Sequence, residues 1–127
     1  MVDANERIEL LRRAYRLFND RQIEPLLAMM SEDVEWPDVA RGTVLHGKDA
    51  IRRYWEAQFA SADPRVSPTR FIEAGDELIA VIDQRVFDLG GNALAPPTVV
   101  FHRYSFAGDR IRRMRVFTDA DEAVAGT

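Results

Sequence analysis

The hydrophobic period changes near the middle of this 127-residue chain, and no other feature constrains the fold as strongly. Up to residue 59, apolar residues recur at spacings of three and four, which is typical of amphipathic helices. From residue 67 they alternate instead, and glycine-containing turns separate the alternating segments. Helices followed by a run of strands predict an α+β fold.

The predicted elements are three helices, at residues 5–19, 24–30 and 47–59, and a short strand at 34–38. Four further strands are predicted at 67–73, 78–89, 98–106 and 110–118. The acidic tail from residue 119 predicts a frayed helix or disorder. We expect one domain over residues 1–127, with the helices on one face of a strongly curved antiparallel sheet that leaves a conical pocket.

Composition narrows the function classes. The chain has no cysteine, which excludes disulfides and cysteine nucleophiles, and its two histidines offer little material for a metal site. A net charge of −4 argues against general nucleic-acid binding. No apolar run approaches the roughly 20 residues that cross a bilayer, and the first residues lack an apolar signal core. We therefore expect a cytoplasmic protein with no metal, no nucleic-acid partner and no membrane contact.

Several stretches resemble the SnoaL-like group of the nuclear-transport-factor-two-like superfamily, which has a cystatin-like fold. They are residues 15–19, SEDVEW at 31–36, HGKDAIR at 46–52, and the segments 104–106, 110–111 and 114–117. The superfamily includes ketosteroid isomerases, limonene epoxide hydrolases and polyketide cyclases. The resemblance implies a pocket for a small apolar or carbonyl-containing organic molecule, and no cofactor. Because this fold carries many activities and several non-catalytic members, it does not define the function.

Asp38 is the first candidate catalytic residue. It shares a strand face with Trp36, and a carboxylate beside aromatic groups is poorly solvated, so we expect a raised pKa and a usable base. The resemblance implies the same role, since isomerase-like members place the proton-shuttling carboxylate at the matching position. The alternative is a strand-end aspartate that faces water, which the neighbouring Pro37 favours.

His102 is the second candidate catalytic residue, and it shares a strand face with Tyr104. The resemblance implies that it occupies the position of the protonated acid that hydrogen-bonds the developing oxyanion in the isomerases. A neutral imidazole can donate that hydrogen bond, and it can also act as an acid or base near pH 7. The alternative is a core histidine satisfied by one partner, either Asp83 or Tyr104.

Asp83 and Arg85 lie two residues apart on one strand face, so we expect both in the pocket. Arg85 matches the arginine that epoxide hydrolase-like members place between two acids. The partner positions here are Phe87 and Val116, which disfavours epoxide hydrolysis. Arg85 is then either a clamp for the ligand or half of a structural ion pair.

Aromatic and sulfur-containing side chains are predicted to complete the pocket. The isomerases carry an oxyanion-binding tyrosine in the first helix, but the matching position here is Ala14. Tyr15 is rotated by about 100° from it, so we expect Tyr15 at the pocket mouth or in the core. The other predicted lining residues are Trp36, Trp55, Tyr104 and Met114.

The leading functional hypothesis is cofactor-independent proton transfer next to a carbonyl, by an isomerase or cyclase. Asp38 would take the proton, His102 would stabilise the enolate oxygen, and Arg85 would orient the ligand. The alternatives are a non-catalytic module that holds a small ligand, and a dimeric scaffold in which these polar groups form a strut. Because both sheet faces are apolar, we also predict a homodimer through the outer sheet face.

Overall fold

Four helices and six strands follow one another along residues 3–126, the part of the chain that the computed structural model describes. The elements are α1 (Ala4–Asn19), α2 (Ile23–Leu27), β1 (Met30–Asp38), β2 (Thr43–His46), α3 (Lys48–Ser61), β3 (Asp63–Ala74), β4 (Glu77–Phe87), β5 (Thr98–Ala107), β6 (Arg110–Phe117) and α4 (Ala120–Ala125). This order confirms the predicted α+β class. Among these residues no helix is both long and apolar enough to cross a membrane.

All six strands form one sheet in the order β2-β1-β6-β5-β4-β3. Strands β3 to β6 make an antiparallel meander, whereas β1 runs parallel to β6, which the expectation of a purely antiparallel sheet did not include. The register shifts between Pro68 and Arg70 in β3 and between Ser105 and Phe106 in β5. Such irregularities increase the local bend of a strand, and the curved sheet turns its concave face toward the helices.

The hydrophobic core lies between this concave face and the first three helices. α1 contributes Leu11 from its apolar stripe, and α3 contributes Ile51 and Trp55, which is 1% exposed. The sheet meets them with alternate residues of β4, namely Ala80 and Ile82, both fully buried. Spacings of three and four on the helices and of two on the strands therefore place one apolar surface against the other.

Two strands depart from the sequence prediction at the edges of the sheet. β2 was not predicted, because an exposed edge strand shows no alternation of apolar and polar residues. β3 begins at Asp63 rather than at residue 67, so it includes part of the segment 61–64 that was predicted as a loop around Pro64. Proline is tolerated at an edge, where an N–H group is not needed for pairing.

The tail, for which the sequence predicted a frayed helix or disorder, forms the helix α4. Asp119 starts it by accepting a hydrogen bond from the Glu122 N–H at 3.0 Å, and Ala123 is fully buried. Arg103 donates to the carbonyls of Ala123 and Val124, at 2.9 Å each. Because Arg103 alternates with the inward-facing residues of β5, α4 lies on the outer face of the sheet.

Candidate functional site: a cavity between the helices and the sheet

A cavity of about 550 Å³ lies between the helices and the concave face of the sheet. This volume falls within the roughly 300–1,000 Å³ that is usual for small-molecule sites. None of the described lining residues carries a charge. Most of the wall is aromatic or aliphatic, and its larger members are Phe18, Leu26, Trp36, Trp55, Val100 and Met114.

Three polar side chains meet in this wall. The Tyr15 hydroxyl lies 2.8 Å from Nδ1 of His102 and 2.7 Å from the Tyr104 hydroxyl, and all three residues are buried. His102 and Tyr104 are two residues apart on β5 and so share its inner face, while Tyr15 reaches them from α1. The Tyr15 and His102 rings stack, with centroids 5.9 Å apart, and Tyr104 meets Tyr15 edge-on.

Burial keeps all three groups neutral at physiological pH. It lowers the pKa of His102 to about 4, because an imidazolium ion would be poorly solvated there. Burial likewise raises the pKa of the Tyr15 phenol, and the neighbouring Tyr104 raises it further. Burial also raises the pKa of Tyr104, although the hydrogen bond with Tyr15 offsets part of that effect.

The second ring nitrogen of His102 is available to a ligand. Within residues 3–126, the imidazole hydrogen-bonds only to Tyr15, through Nδ1. Nε2 is not among the fully enclosed polar atoms of this part of the chain, and the ring lines the cavity. An incoming molecule can therefore bind Nε2 without displacing a hydrogen bond between protein groups.

Asp38 is the last residue of β1 and lies beside the cavity wall. Its side chain is 7% exposed, accepts a hydrogen bond from the Arg41 N–H at 3.3 Å and lies 3.8 Å from the Arg41 guanidinium. Pro37 and Val39 on either side of it line the cavity, but Asp38 itself does not. Burial, and secondarily the Asp38 charge, raise the pKa of Tyr54, which lines the same region. The carboxylate thus closes the turn between β1 and β2, and its role as a base stays a prediction.

The expectation that Asp83 and Arg85 enter the cavity is wrong. They lie on the outer face of β4, where Arg85 Nη2 is 3.3 Å from Asp83 Oδ2 and the Arg85 side chain is 55% exposed. Ala80 pairs with His102, so the even-numbered residues of β4 face inward, and Gln84 lines the cavity. Alternation assigns the residues of β4 to two faces, but both faces are largely apolar, so the sequence does not indicate which face is internal. Of the two alternatives for Arg85, the structure contains the ion pair.

The structure brings all of the remaining predicted lining residues together. Tyr15, Trp36, Trp55, Tyr104 and Met114 all line the cavity. Tyr15 is neither at the mouth nor only packing in the core, because its hydroxyl joins the other two polar groups.

Sequence reasoning missed two glutamines in the wall, Gln58 and Gln84. Gln84 had a detectable signal, because it is the single polar residue on a strand face that otherwise carries Leu78, Ala80, Ile82 and Val86. Gln58 follows Tyr54 by one helical turn on α3 and had no comparable signal.

Helices that cover the concave face of a bent sheet, with a ligand-sized cavity between the layers, define a nuclear-transport-factor-two-like protein. A family model of the SnoaL-like domain matches residues 11–114. The chain therefore belongs to the SnoaL-like family. No curated protein sequence matches it significantly.

Solved structures of similar proteins share the fold over almost their full lengths. A nuclear-transport-factor-two-like protein of unknown function from Burkholderia pseudomallei is 23% identical, with 94% of this chain and 95% of that one covered and a TM-score of 0.76. TerC, co-crystallised with polyporic acid, is 25% identical, with coverage of 94% and 98% and a TM-score of 0.77. SalBIII, an epoxide hydrolase/cyclase-like enzyme of pyran ring formation in salinomycin, is 18% identical, with coverage of 95% and 96% and a TM-score of 0.76.

Proposed function

We propose that the cavity binds a small, neutral organic molecule with a carbonyl group, and that the protein catalyses proton transfer at the carbon next to that carbonyl. One observation carries this proposal: neutral hydrogen-bonding groups from His102, Tyr15 and Tyr104 meet in a cavity without charged lining residues. Burying an unpaired ion there would be costly, whereas a carbonyl oxygen needs only a hydrogen-bond donor. The co-crystallisation of TerC with polyporic acid supports a small organic ligand.

The groups at this site suit acid–base chemistry. A neutral imidazole offers a lone pair that can take a proton, and a neutral phenol offers an O–H that can stabilise a developing oxyanion. Both are held in place, His102 by its bond to Tyr15 and Tyr104 by the same hydroxyl. General acid–base catalysis of this kind contributes about 10²–10⁴-fold in rate.

We assign the role of proton acceptor to His102 rather than to Asp38. The His102 ring lines the cavity and keeps Nε2 available, whereas the Asp38 carboxylate is already bound to the backbone and the guanidinium of Arg41. A base must come within hydrogen-bond distance of the proton that it removes, so position decides between the two.

The test uses 2-tetralone, a neutral two-ring ketone, as the probe. Binding is measured as saturable quenching of the fluorescence of Trp36 and Trp55, which both line the cavity. Turnover is measured as release of tritium from the carbon next to the carbonyl. We expect His102→Gln to lower the saturating rate about 10²-fold or more.

Two other variants complete this test. His46→Gln, which replaces the exposed histidine of β2, serves as the matched control and should keep the wild-type rate. Asp38→Asn should leave the rate at the same order of magnitude and lower the melting temperature, because it weakens the turn. Loss of turnover in Asp38→Asn with full turnover in His102→Gln would instead make Asp38 the base.

A second candidate function is ligand binding without turnover. The observation that favours it is that the three cavity groups already hydrogen-bond to one another. Burial also opposes their ionisation, because it lowers the pKa of His102 to about 4 and raises that of both tyrosines. Saturable binding of 2-tetralone with no tritium release above the buffer rate would support this function over the enzyme.

We also propose that the protein forms a homodimer through the outer face of the sheet. Phe101 and Phe117, both partly exposed, stand in register across β5 and β6 on the face turned away from the cavity. Val81 of β4 continues this row and is 7% exposed. An apolar row of this kind is what a second copy of the chain would cover by two-fold symmetry.

Phe101→Lys should convert the dimer to a monomer, because it places a charge in the middle of this row. Sedimentation equilibrium measures the change as a halving of the mass. Thr43→Lys adds the same charge on the exposed edge strand β2 and should leave the dimer intact. A wild-type chain that sediments as a monomer at high micromolar concentration would contradict the dimer.

A further inference from the structure

The Tyr15 hydroxyl lies between two hydrogen-bonding groups and can be arranged with them in two ways. It lies between Nδ1 of His102, at 2.8 Å, and the hydroxyl of Tyr104, at 2.7 Å. A phenol has one hydrogen to donate, so Tyr15 donates to one neighbour and accepts from the other. The three groups therefore form a chain of two hydrogen bonds that can run in either direction.

The two directions present different chemistry to the cavity. In the first, Tyr104 donates to Tyr15 and Tyr15 donates to Nδ1, so the imidazole hydrogen is on Nε2 and faces the ligand. In the second, Nδ1–H donates to Tyr15 and Tyr15 donates to Tyr104. Nε2 is then a base, and the Tyr104 O–H is free to donate to the ligand. Each direction keeps both bonds of the chain.

We propose that Tyr15 relays a proton between His102 and Tyr104, and that the substrate is a ketone with an enolisable C–H bond. This inference rests on the proposed function and specifies how the proton moves. His102 removes the proton from the carbon while Tyr104 delivers one to the carbonyl oxygen. The substrate becomes its enol, and the chain of hydrogen bonds reverses its direction.

The step balances without any further reactant. The C–H bond breaks as Nε2–H forms, and the electron pair of that bond becomes the C=C bond of the enol. Nδ1 gives its proton to Tyr15, Tyr15 gives its own to Tyr104, and Tyr104 gives its own to the carbonyl oxygen. The oxygen uses the pair of the C=O π bond to form its new O–H bond. Running the step backward returns a proton to carbon.

The surroundings favour such a relay over separate ionisations. If His102 acted alone it would become an imidazolium ion, and burial opposes that ion by lowering the pKa to about 4. A phenolate on Tyr15 or Tyr104 is opposed in the same way. In the relay, each of the three groups gains a proton as it loses one, so none of them becomes charged. The cavity wall, which lacks charged residues among those described, has nothing to stabilise such an ion.

Tyr15 acts through its two neighbours and is therefore a positioning residue. Tyr15→Phe keeps the ring and its packing against His102 and removes only the oxygen that joins the two ends. With tritium-labelled 2-tetralone, we expect this variant to lower the saturating rate of release about 10²-fold, while KM stays near its wild-type value. The double variant Tyr15→Phe/His102→Gln should be no slower than His102→Gln alone, because both changes interrupt one path.

The solvent isotope effect separates a relay from a purely structural role. Several exchangeable protons move in one step of a relay, so the wild-type rate in H₂O/D₂O mixtures should fall along a curve as the deuterium fraction rises. A single moving proton gives a straight line, which we expect for the residual rate of Tyr15→Phe. Tyr104→Phe provides a second interruption of the path, should Tyr15→Phe fold poorly, and should also give a straight line.

The outcomes distinguish the relay from the function on which it rests. A curved dependence in the wild-type chain together with the loss in Tyr15→Phe supports the relay. A straight line in the wild-type chain, or an undiminished rate in Tyr15→Phe, overturns the relay and leaves the proposed function standing. No tritium release by the wild-type chain rejects the enzymatic function and the relay with it.

Discussion

Trp55→Ala is expected to lower the free energy of unfolding by about 3–5 kcal/mol, as is usual when a large buried aromatic is truncated. Trp55 is 1% exposed and joins α3 to the rest of the core. Its ring meets Trp36 edge-on at 5.4 Å and Phe18 at 5.9 Å, and such aromatic pairs add to the effect of burial. Urea unfolding followed by circular dichroism measures the loss.

Two other substitutions on α3 control for changes in the helix itself. Glu56→Ala alters the next residue, which is exposed, and should stay within about 0.5 kcal/mol of the wild type. Trp55→Phe keeps an aromatic ring at the same place and should lose less than Trp55→Ala. If Trp55→Ala lowered the free energy of unfolding by less than about 1 kcal/mol, contacts other than those of Trp55 with Trp36 and Phe18 would hold α3 in place.

The chemistry-bearing strand β5 could be predicted from the sequence because its inner and outer residues differ. Val100, His102 and Tyr104 alternate with Phe101 and Arg103, and the structure turns the first set toward the cavity. Alternation carries this information wherever one face of a strand is buried in the core. The placement of an aromatic ring and an imidazole on one face could therefore be predicted from the sequence alone.

The placement of Asp83 and Arg85 could not be predicted in the same way. β4 is apolar on both faces, and only its pairing of Ala80 with His102 shows which face is internal. That pairing joins residues on different strands, and it depends on where the turn between β4 and β5 begins. The alternation of residues within one strand does not specify this register, so the position of the Asp83–Arg85 ion pair on the outer face could not be predicted.

The contact between Tyr15 and His102 could not be predicted from the sequence for a different reason. These residues are 87 positions apart, and their 2.8 Å hydrogen bond depends on how α1 is rotated and how closely it packs on the sheet. Helical periodicity places Tyr15 on the apolar stripe of α1 together with Leu11, so its burial was accessible. The partner of its hydroxyl was not, because periodicity specifies a direction and not a distance.

His102 should make the protein less stable as the pH falls from about 6.5 to about 4. Its pKa is about 4 in the folded chain, below the value of 6.5 for an unburied histidine. The unfolded chain therefore takes up a proton first, and stability rises with pH across this window. The full difference corresponds to about 3 kcal/mol, which is present above pH 6.5 and lost once the pH reaches 4.

His102→Gln should flatten this pH dependence, because glutamine does not titrate. The free energy of unfolding, measured in urea at half-unit steps between pH 7 and pH 4.5, gives the slope for each variant. His46→Gln removes the exposed histidine of β2 instead, and its slope is the control against which the change in His102→Gln is judged. Partial burial raises the pKa of Glu77, but hydrogen bonds from Arg103 and Ser105 outweigh it and hold the pKa below the usual 4.5. The stability that this carboxylate contributes is therefore lost mainly at lower pH than the histidine window. An equal slope in His102→Gln and the wild type would mean that His102 is already solvated in the folded chain, and the neutral cavity that both proposals require would not exist.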